Sequence, residues 1–180
     1  LLSDSTISEN KSFTYPVITG TNNSNKAIIL LHGLNENTWT KYLPWAITLY
    51  KSTRQPVILF PLPFHINRRP NPWKEPRLLN NIATKRKKQY KSNTISYLNA
   101  AISSRLQDSP ERFYVSCIQI YLDLLSLISQ IQMGKHPVLS QKSQVNFFGF
   151  SIGALVSELM LLTNPENRLQ KSKAVLFCGG

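Results

Sequence analysis

Short apolar runs alternate along the chain with longer segments of mixed character. The runs have the length of strands, and their continuous hydrophobicity is typical of strands buried on both faces of a parallel sheet. Apolar residues between them recur at helical spacing, which predicts right-handed strand–helix–strand crossovers. The predicted strands cover residues 27–31, 57–60, 145–148 and 173–178, and the predicted helices cover residues 40–51, 94–106, 111–133 and 152–162. The pattern therefore predicts an α/β fold in which helices cover both faces of a parallel sheet.

Residues that start or stop regular structure refine these boundaries. Asp108-Ser109-Pro110-Glu111 combines a capping residue with a first-turn proline and predicts a helix start, and Gly134 predicts the end of that helix. Near the front of the chain, a weak alternation at Phe13 and Tyr15 predicts an edge strand that Pro16 ends. The last apolar run, 173–178, is expected to be a buried strand like the others.

Positive charge concentrates in one segment. The net charge is +12, from 21 basic and 9 acidic residues, and nine of the basic residues lie between Arg68 and Lys91 beside one acid, Glu75. Residues 61–92 also hold five prolines and four asparagines, so we expect an irregular basic insertion or lid at about 61–93, with Arg68, Arg69 and residues 85–88 outside the core. An anionic substrate, a lipid headgroup surface and nucleic acid are the open alternatives. No nucleic-acid-binding motif accompanies the segment.

The bulk composition is that of a globular protein. Hydrophobic residues make up 42% and aromatic residues 10% of 180 residues, which suits a single domain over 1–180. Cys117 and Cys178 both lie among apolar residues, which predicts buried free thiols. Polar residues interrupt the most apolar stretch, 113–131, so no transmembrane segment is expected. The composition does not determine the compartment.

Two motifs follow predicted strands directly. The strand at 145–148 leads into Gly149-Phe150-Ser151-Ile152-Gly153 and then into a helix, which is the setting of a nucleophile elbow. A serine at the apex of such a turn has strained backbone angles, and glycines beside it allow close contacts with neighbouring elements. The strand at 27–31 leads into His32-Gly33-Leu34.

The two motifs, in this order and with crossover helices between them, resemble the α/β-hydrolase superfamily. The resemblance covers about residues 26–180 and implies a three-layer α/β/α sheet whose four clear strands are the third to sixth of the family. Their order in space would be the strands at 57, 27, 145 and 173. The sheet would then be incomplete at its C-terminal end, so we expect a further segment or a partner chain to supply more strands.

The resemblance also implies roles for site residues. Ser151 resembles the nucleophile, and the backbone N–H groups of Leu34 and Ile152 resemble the oxyanion-hole donors. His32 resembles the family's structural histidine beside that loop. Neither a cofactor nor a metal is implied. The substrate would be a small ester, thioester or amide.

The catalytic triad of that family is incomplete in this sequence. The family order is nucleophile, acid, histidine, but no histidine or aspartate follows Ser151, and the only later acids are Glu158 and Glu166. We therefore expect residues 1–180 alone not to turn over esters. The alternatives are a serine hydrolase completed from outside this stretch, a non-catalytic binding or scaffold domain, and a different doubly wound fold that binds nucleic acid or an acidic partner.

The remaining histidines have two readings each. His65 follows a predicted strand, and with Arg68 and Arg69 it is a candidate for binding an anionic group of the substrate. The alternative for His65 is a loop histidine bonded to local backbone. His136, before Pro137 at a helix end, is expected to be structural or exposed.

Overall fold

The computed structural model describes residues 7–20 and 24–179. Six helices and five strands make up the regular structure of this part of the chain, together with 3₁₀ turns at Ile66–Arg68, Asn71–Lys74 and Pro165–Asn167. The helices are α1 (Ser8–Lys11), α2 (Leu43–Thr53), α3 (Pro76–Tyr90), α4 (Tyr97–Asp108), α5 (Glu111–Gln132) and α6 (Ile152–Thr163). The strands are β1 (Val17–Ile18), β2 (Lys26–Leu31), β3 (Val57–Phe60), β4 (Gln144–Phe150) and β5 (Ala174–Phe177).

The strands form one mixed sheet in the order β1-β3-β2-β4-β5. The four longer strands pair in parallel and have the predicted spatial order, whereas β1 pairs antiparallel with β3. The predicted edge strand is wrong in position, because Pro16 precedes β1 instead of ending it. Proline has no N–H to donate, but its carbonyl still accepts a hydrogen bond, and that of Pro16 accepts the Leu59 N–H at 3.0 Å.

Helices cover both faces of the sheet. Ile28 and Leu30 of β2 pack with Ala46 of α2 in one apolar cluster. Ile29 and Leu31, which alternate with them, pack against α5 and α6 in a second and larger cluster. This alternation confirms the expectation that β2 is buried on both faces.

The segment at 61–93 is more regular than the sequence analysis predicts. Residues 76–90 form helix α3, and Pro76 occupies its first turn, where a missing N–H costs no hydrogen bond. The Arg86 guanidinium donates to Ser103 Oγ at 2.8 Å and to Gln107 Oε1 at 3.0 Å, which joins α3 to α4. The prediction of an irregular segment treated its prolines as helix breakers, whereas Pro76 begins a helix.

Arg68 and Arg69 are the clearest correction. Both were expected outside the core, but their exposed fractions are 0% and 5%. Arg68 Nη1 lies 2.7 Å from Asp123 Oδ2 of α5 and donates to the Pro61 carbonyl at 3.1 Å. Its guanidinium also lies 4.0 Å from the Phe13 ring centroid. Burial lowers the pKa of Arg68, and the Asp123 carboxylate opposes that shift. Arg68 thus joins the N-terminal segment, the loop after β3 and α5.

Several other predicted details differ from the structure. Asp108 is the last residue of α4, and α5 begins at Glu111 without a side-chain cap. Strand β5 is exposed, with 55% of Val175 accessible, because in the described chain it pairs only with β4. Cys117 and Cys178 are free thiols as expected, but both are exposed.

Helix α5 has the length and composition of a membrane-spanning segment. The mean hydropathy of its most apolar window is 1.4, and 28% of that window is buried inside the protein. Core helices of soluble proteins meet the same criteria, and Leu124, Ile128 and Ile131 of α5 belong to the larger core cluster. The expected lack of a transmembrane segment stays a prediction.

Neutralising the exposed lysines of α3 should leave stability almost unchanged. Lys85, Lys87 and Lys88 are solvent-exposed, and exposed charges contribute about 0 to 1 kcal/mol. We expect the triple substitution to glutamine to change the free energy of unfolding by less than about 1 kcal/mol in urea titrations. A larger loss would show that this charged face is structural. Arg86→Gln, which removes both bonds to α4, should cost more than any single lysine change.

Candidate active site

Ser151 lies at the turn between β4 and α6. Its φ of 54° and ψ of −119° are unfavourable for a residue with a side chain, and α6 begins at the next residue. The turn is fixed on both sides, because the Ser151 N–H donates to the Phe177 carbonyl at 3.0 Å and its own carbonyl accepts the Ala154 N–H at 2.8 Å. Ser151 is half-buried. The strained elbow predicted from Gly-x-Ser-x-Gly is confirmed.

The two glycines of the motif permit backbone contacts that no other residue allows. A Cβ on Gly149 would lie 2.4 Å from the Gly153 carbonyl oxygen, and one on Gly153 would lie 2.4 Å from the Leu31 carbonyl oxygen. Both obstacles are backbone atoms, which cannot rotate away. Gly153 therefore lets α6 begin directly against the end of β2.

We expect Gly153→Ala to destabilise the protein by about 3 kcal/mol or more, at the upper end of overpacking effects, because β2 and α6 would have to separate. Gly33→Ala is the matched control. There the nearest atom to the added Cβ belongs to the Phe150 side chain, at 2.9 Å, and a side chain can shift. In thermal or urea unfolding, Gly33→Ala should have a clearly larger free energy of unfolding than Gly153→Ala. Equal losses would mean that the Gly153 contact is not the constraint.

The loop after β2 is held by a buried tyrosine. The Gly33 N–H donates to Tyr42 Oη at 2.9 Å, and the Tyr42 hydroxyl donates to Glu36 Oε1 at 2.7 Å. Lys41 Nζ also bonds Glu36 Oε1, at 3.1 Å. Burial and the bond to Glu36 raise the pKa of Tyr42, so this hydroxyl keeps its proton. The Gly33 amide is thereby occupied, and the next donor along the loop is Leu34.

Leu34 and Ile152 come together at one edge of the sheet. Leu31 of β2 pairs with Gly149 of β4, so both strands end side by side. The two residues line the same cavity, of about 180 Å³. Neither amide is hydrogen-bonded to another described residue, which leaves both N–H groups available to a ligand. That the two N–H groups converge on one point near the Ser151 hydroxyl stays a prediction.

His32 is structural, as its resemblance to the family's histidine implies. Its Nε2 accepts the Leu62 N–H at 3.0 Å, so the ring proton is on Nδ1, which donates to the Gly33 carbonyl at 2.7 Å. The side chain is fully buried, and burial, with a smaller contribution from His65, lowers its pKa to about 3. A neutral ring with both nitrogens engaged cannot serve as a general base.

The other two histidines differ in their relation to the cavity. His65 lines it, and its Nδ1 is 2.7 Å from the Pro63 carbonyl oxygen, which agrees with a loop histidine bonded to local backbone. His136 lies elsewhere, where its Nδ1 accepts the amides of Val138 and Leu139. Burial lowers the pKa of His136. His136 is structural, as expected.

The proposed anionic subsite is not formed by the residues predicted for it. Arg68 is engaged by Asp123, and Arg69 Nη1 donates to Asn37 Oδ1 in the loop after β2. Of the three residues His65, Arg68 and Arg69, only His65 lines the cavity. The described residues include no group of three or more His, Cys, Asp or Glu side chains placed to hold a metal ion.

The residues that hold the loop after β2 were not predicted from the sequence. Tyr42 and Glu36 lie on either side of a short polar stretch, and no motif marks them. The only sequence signal is their position just after the His-Gly pair.

The model of one protein family, described as a family of unknown function (DUF6051), matches residues 1–180. The chain belongs to that family. No curated protein and no solved structure matches the sequence. The description of DUF6051 names no activity.

Proposed function

We propose that this DUF6051 chain carries the nucleophile and oxyanion loop of a serine hydrolase that acts on an ester, thioester or amide through an acyl-enzyme. The observation that carries the proposal is the backbone of Ser151, at φ 54° and ψ −119° between β4 and α6. Strain of this kind is kept where surrounding structure enforces it, and it clusters at functional sites. Here the Ser151 backbone is held by hydrogen bonds to the Phe177 carbonyl and from the Ala154 N–H, and Gly149 and Gly153 let the adjoining backbones approach closely.

The α/β-hydrolase fold is part of the same proposal. The parallel strands β2, β3, β4 and β5 would be the third to sixth strands of that sheet. The order β3-β2-β4-β5 and the helices on both faces support this assignment. The short antiparallel β1 makes the observed sheet mixed, so the support comes from the four longer strands.

The chemistry follows from the placement of Ser151. Its Oγ would attack the substrate carbonyl carbon, forming a C–O bond while a base takes the hydroxyl proton. The negative charge then moves to the carbonyl oxygen, where the Leu34 and Ile152 amides would stabilise it. A single such donor contributes about 3 kcal/mol to lowering the barrier. Collapse of this intermediate expels the alcohol, thiol or amine, which receives the proton, and water releases the acid in a second, equivalent cycle.

Among the described residues, the three histidines are poor candidates for the general base. His65 lines the cavity, but its Nδ1 lies 2.7 Å from the Pro63 carbonyl oxygen. His32 has both ring nitrogens engaged, and His136 is hydrogen-bonded to its own loop away from the cavity. We therefore propose that the base and its orienting acid come from outside these residues, in a further segment or a partner chain. The engaged histidines also favour the second candidate function, a binding or scaffold domain that keeps the elbow without chemistry.

Covalent capture by an alkyl fluorophosphonate distinguishes these functions, because the probe reacts with a serine only when a base activates it. We expect the full encoded protein to be modified at Ser151, as located by peptide mass spectrometry, and residues 1–180 alone to react far more slowly. The Ser151→Ala variant of the full protein should not react at this position. Failure of the full protein to react at Ser151 would favour the non-catalytic domain. Fast reaction of residues 1–180 alone, abolished by His65→Ala, would instead identify His65 as the base.

A further inference from the structure

The cavity beside Leu34 and Ile152 has walls from five parts of the fold, two loops and three helices. Leu34 comes from the loop after β2, and His65 from the loop after β3. Helix α4 contributes Leu106, α5 contributes Ile120, and α6 contributes a face that includes Leu159. The cavity therefore begins at the proposed oxyanion donors and extends away from them between the three helices.

Several polar groups of the walls are already in contact with other parts of the protein. Ser116 Oγ donates to the Arg112 carbonyl at 2.7 Å. The Arg112 guanidinium lies 5.3 Å from the centroid of the Trp73 ring, and that ring stacks on Phe64. The apolar surroundings of Cys117 raise the pKa of its thiol, which keeps it neutral. A sugar or an ion would lose its hydration here without equivalent partners, whereas a hydrocarbon chain would gain from burial.

The size of the cavity bounds the length of that chain. An apolar cavity of about 150 Å³ holds benzene, which has six carbons. The present volume is about 180 Å³, so it suits a chain of about six to eight carbons.

We propose that this cavity binds the straight acyl chain, about six to eight carbons long, of the substrate. The assignment to the acyl side rests on the proposed function. An acyl group stays on Ser151 through both half-reactions, whereas the leaving group has to depart between them. A cavity lined by two loops and three helices retains the group that stays and would hinder the one that leaves.

The first test measures chain binding without any turnover. Iodoacetamide alkylation of Cys117, followed by peptide mass spectrometry in the full encoded protein, reports occupancy, because Cys117 lines the cavity. Octanoate should bind about 200-fold more tightly than butanoate, because its chain buries four more methylenes. Dodecanoate should bind only slightly more tightly than octanoate, because its additional carbons exceed the length that the cavity holds. Alkylation of Cys178, which is outside the walls, should not change and serves as an internal control.

Matched variants on α6 make the test specific. Leu159 lines the cavity, whereas Leu162 lies on the same helix outside it and is 74% exposed. Leu159→Trp should fill the space and abolish protection by octanoate, while Leu162→Trp should leave protection unchanged. Circular dichroism checks that both variants fold. Equal protection by butanoate and octanoate, or undiminished protection in folded Leu159→Trp, would overturn the proposal.

A second experiment tests the cavity proposal and the proposed hydrolysis independently. If the acyl assignment holds, ethyl octanoate should have a higher kcat/KM than octyl acetate, and Leu159→Trp should remove the difference. A preference for octyl acetate would overturn the assignment to the acyl side. If octanoate protects Cys117 better than butanoate but no ester is hydrolysed, the cavity binds a hydrocarbon chain but has no role in hydrolysis. Turnover with no dependence on chain length would refute the cavity proposal alone.

Discussion

Ser151→Ala should lower kcat of the full encoded protein on a medium-chain ester by about four or more powers of ten. In the proposed mechanism the serine hydroxyl forms the covalent bond of the acyl-enzyme, and alanine has no group that could form it. The residual rate would come from the oxyanion donors and from substrate binding, which do not depend on this hydroxyl. The measurement is initial rates with p-nitrophenyl octanoate, with substrate varied to separate kcat from KM.

The controls for this variant separate chemistry from folding. Ser126→Ala removes an exposed hydroxyl on α5, and its kcat should equal that of the unmodified protein. Ser151→Ala should unfold at about the same temperature, because alanine keeps the Cβ of serine and occupies no additional space. A Ser151→Ala variant that retains most of its turnover would exclude the acyl-enzyme mechanism.

The elbow could be predicted from the sequence because every requirement for it is local. Glycines at 149 and 153, one serine between them, an apolar strand before and an apolar helix after are all within a few residues of each other. Gly153 lies close to the Leu31 carbonyl of β2, a strand far away in the sequence. A glycine at this position nevertheless predicts that another part of the backbone packs closely against it. The parallel orientation of the longer strands followed from crossover rules, whereas their order in space was predicted from the resemblance to the α/β-hydrolase superfamily.

The environment of the charged residues could not be read from the sequence. Arg68 lies in a basic, proline-rich stretch, and such stretches are usually solvated. Its burial depends on Asp123, which is far along the chain and lies inside an apolar helix. The anchoring of Gly33 through Tyr42 and Glu36 likewise depends on how a loop folds back on α2. Pairings of this kind arise from tertiary packing, and neither composition nor periodicity records them.

The cavity also could not be predicted from the sequence. Its walls combine residues from two loops and three helices, and most of the wall residues have an ordinary place in the apolar pattern of their own element. An apolar run by itself predicts a buried strand, and β5 is exposed because no described strand pairs with its outer edge. Pattern predicts which residues avoid water, and packing decides which of them remain accessible.

Asp123→Ala should destabilise the protein by about 3–5 kcal/mol, the typical effect of leaving one charge of a buried ion pair without its partner. Arg68 is fully buried, and its Nη1 is 2.7 Å from the Asp123 carboxylate. The same substitution removes the bond from Gln119 Nε2 to Asp123 Oδ1, at 2.6 Å. Because domains are stable by only about 5–15 kcal/mol, this loss should be visible as a large fall in the urea midpoint.

Two further variants decide whether the loss comes from the buried charge itself. Glu166→Ala breaks the exposed pair between Arg168 and Glu166, and it should cost no more than about 1 kcal/mol. The double variant Arg68→Met with Asp123→Leu removes both buried charges, and it should recover most of the stability lost in Asp123→Ala, because apolar replacements of buried ion pairs are often neutral. A double variant as unstable as Asp123→Ala would mean that Arg68 stabilises the fold mainly through its bonds to the Pro61 and Asn10 carbonyls. A loss in Asp123→Ala no larger than in Glu166→Ala would show that Arg68 does not depend on this carboxylate.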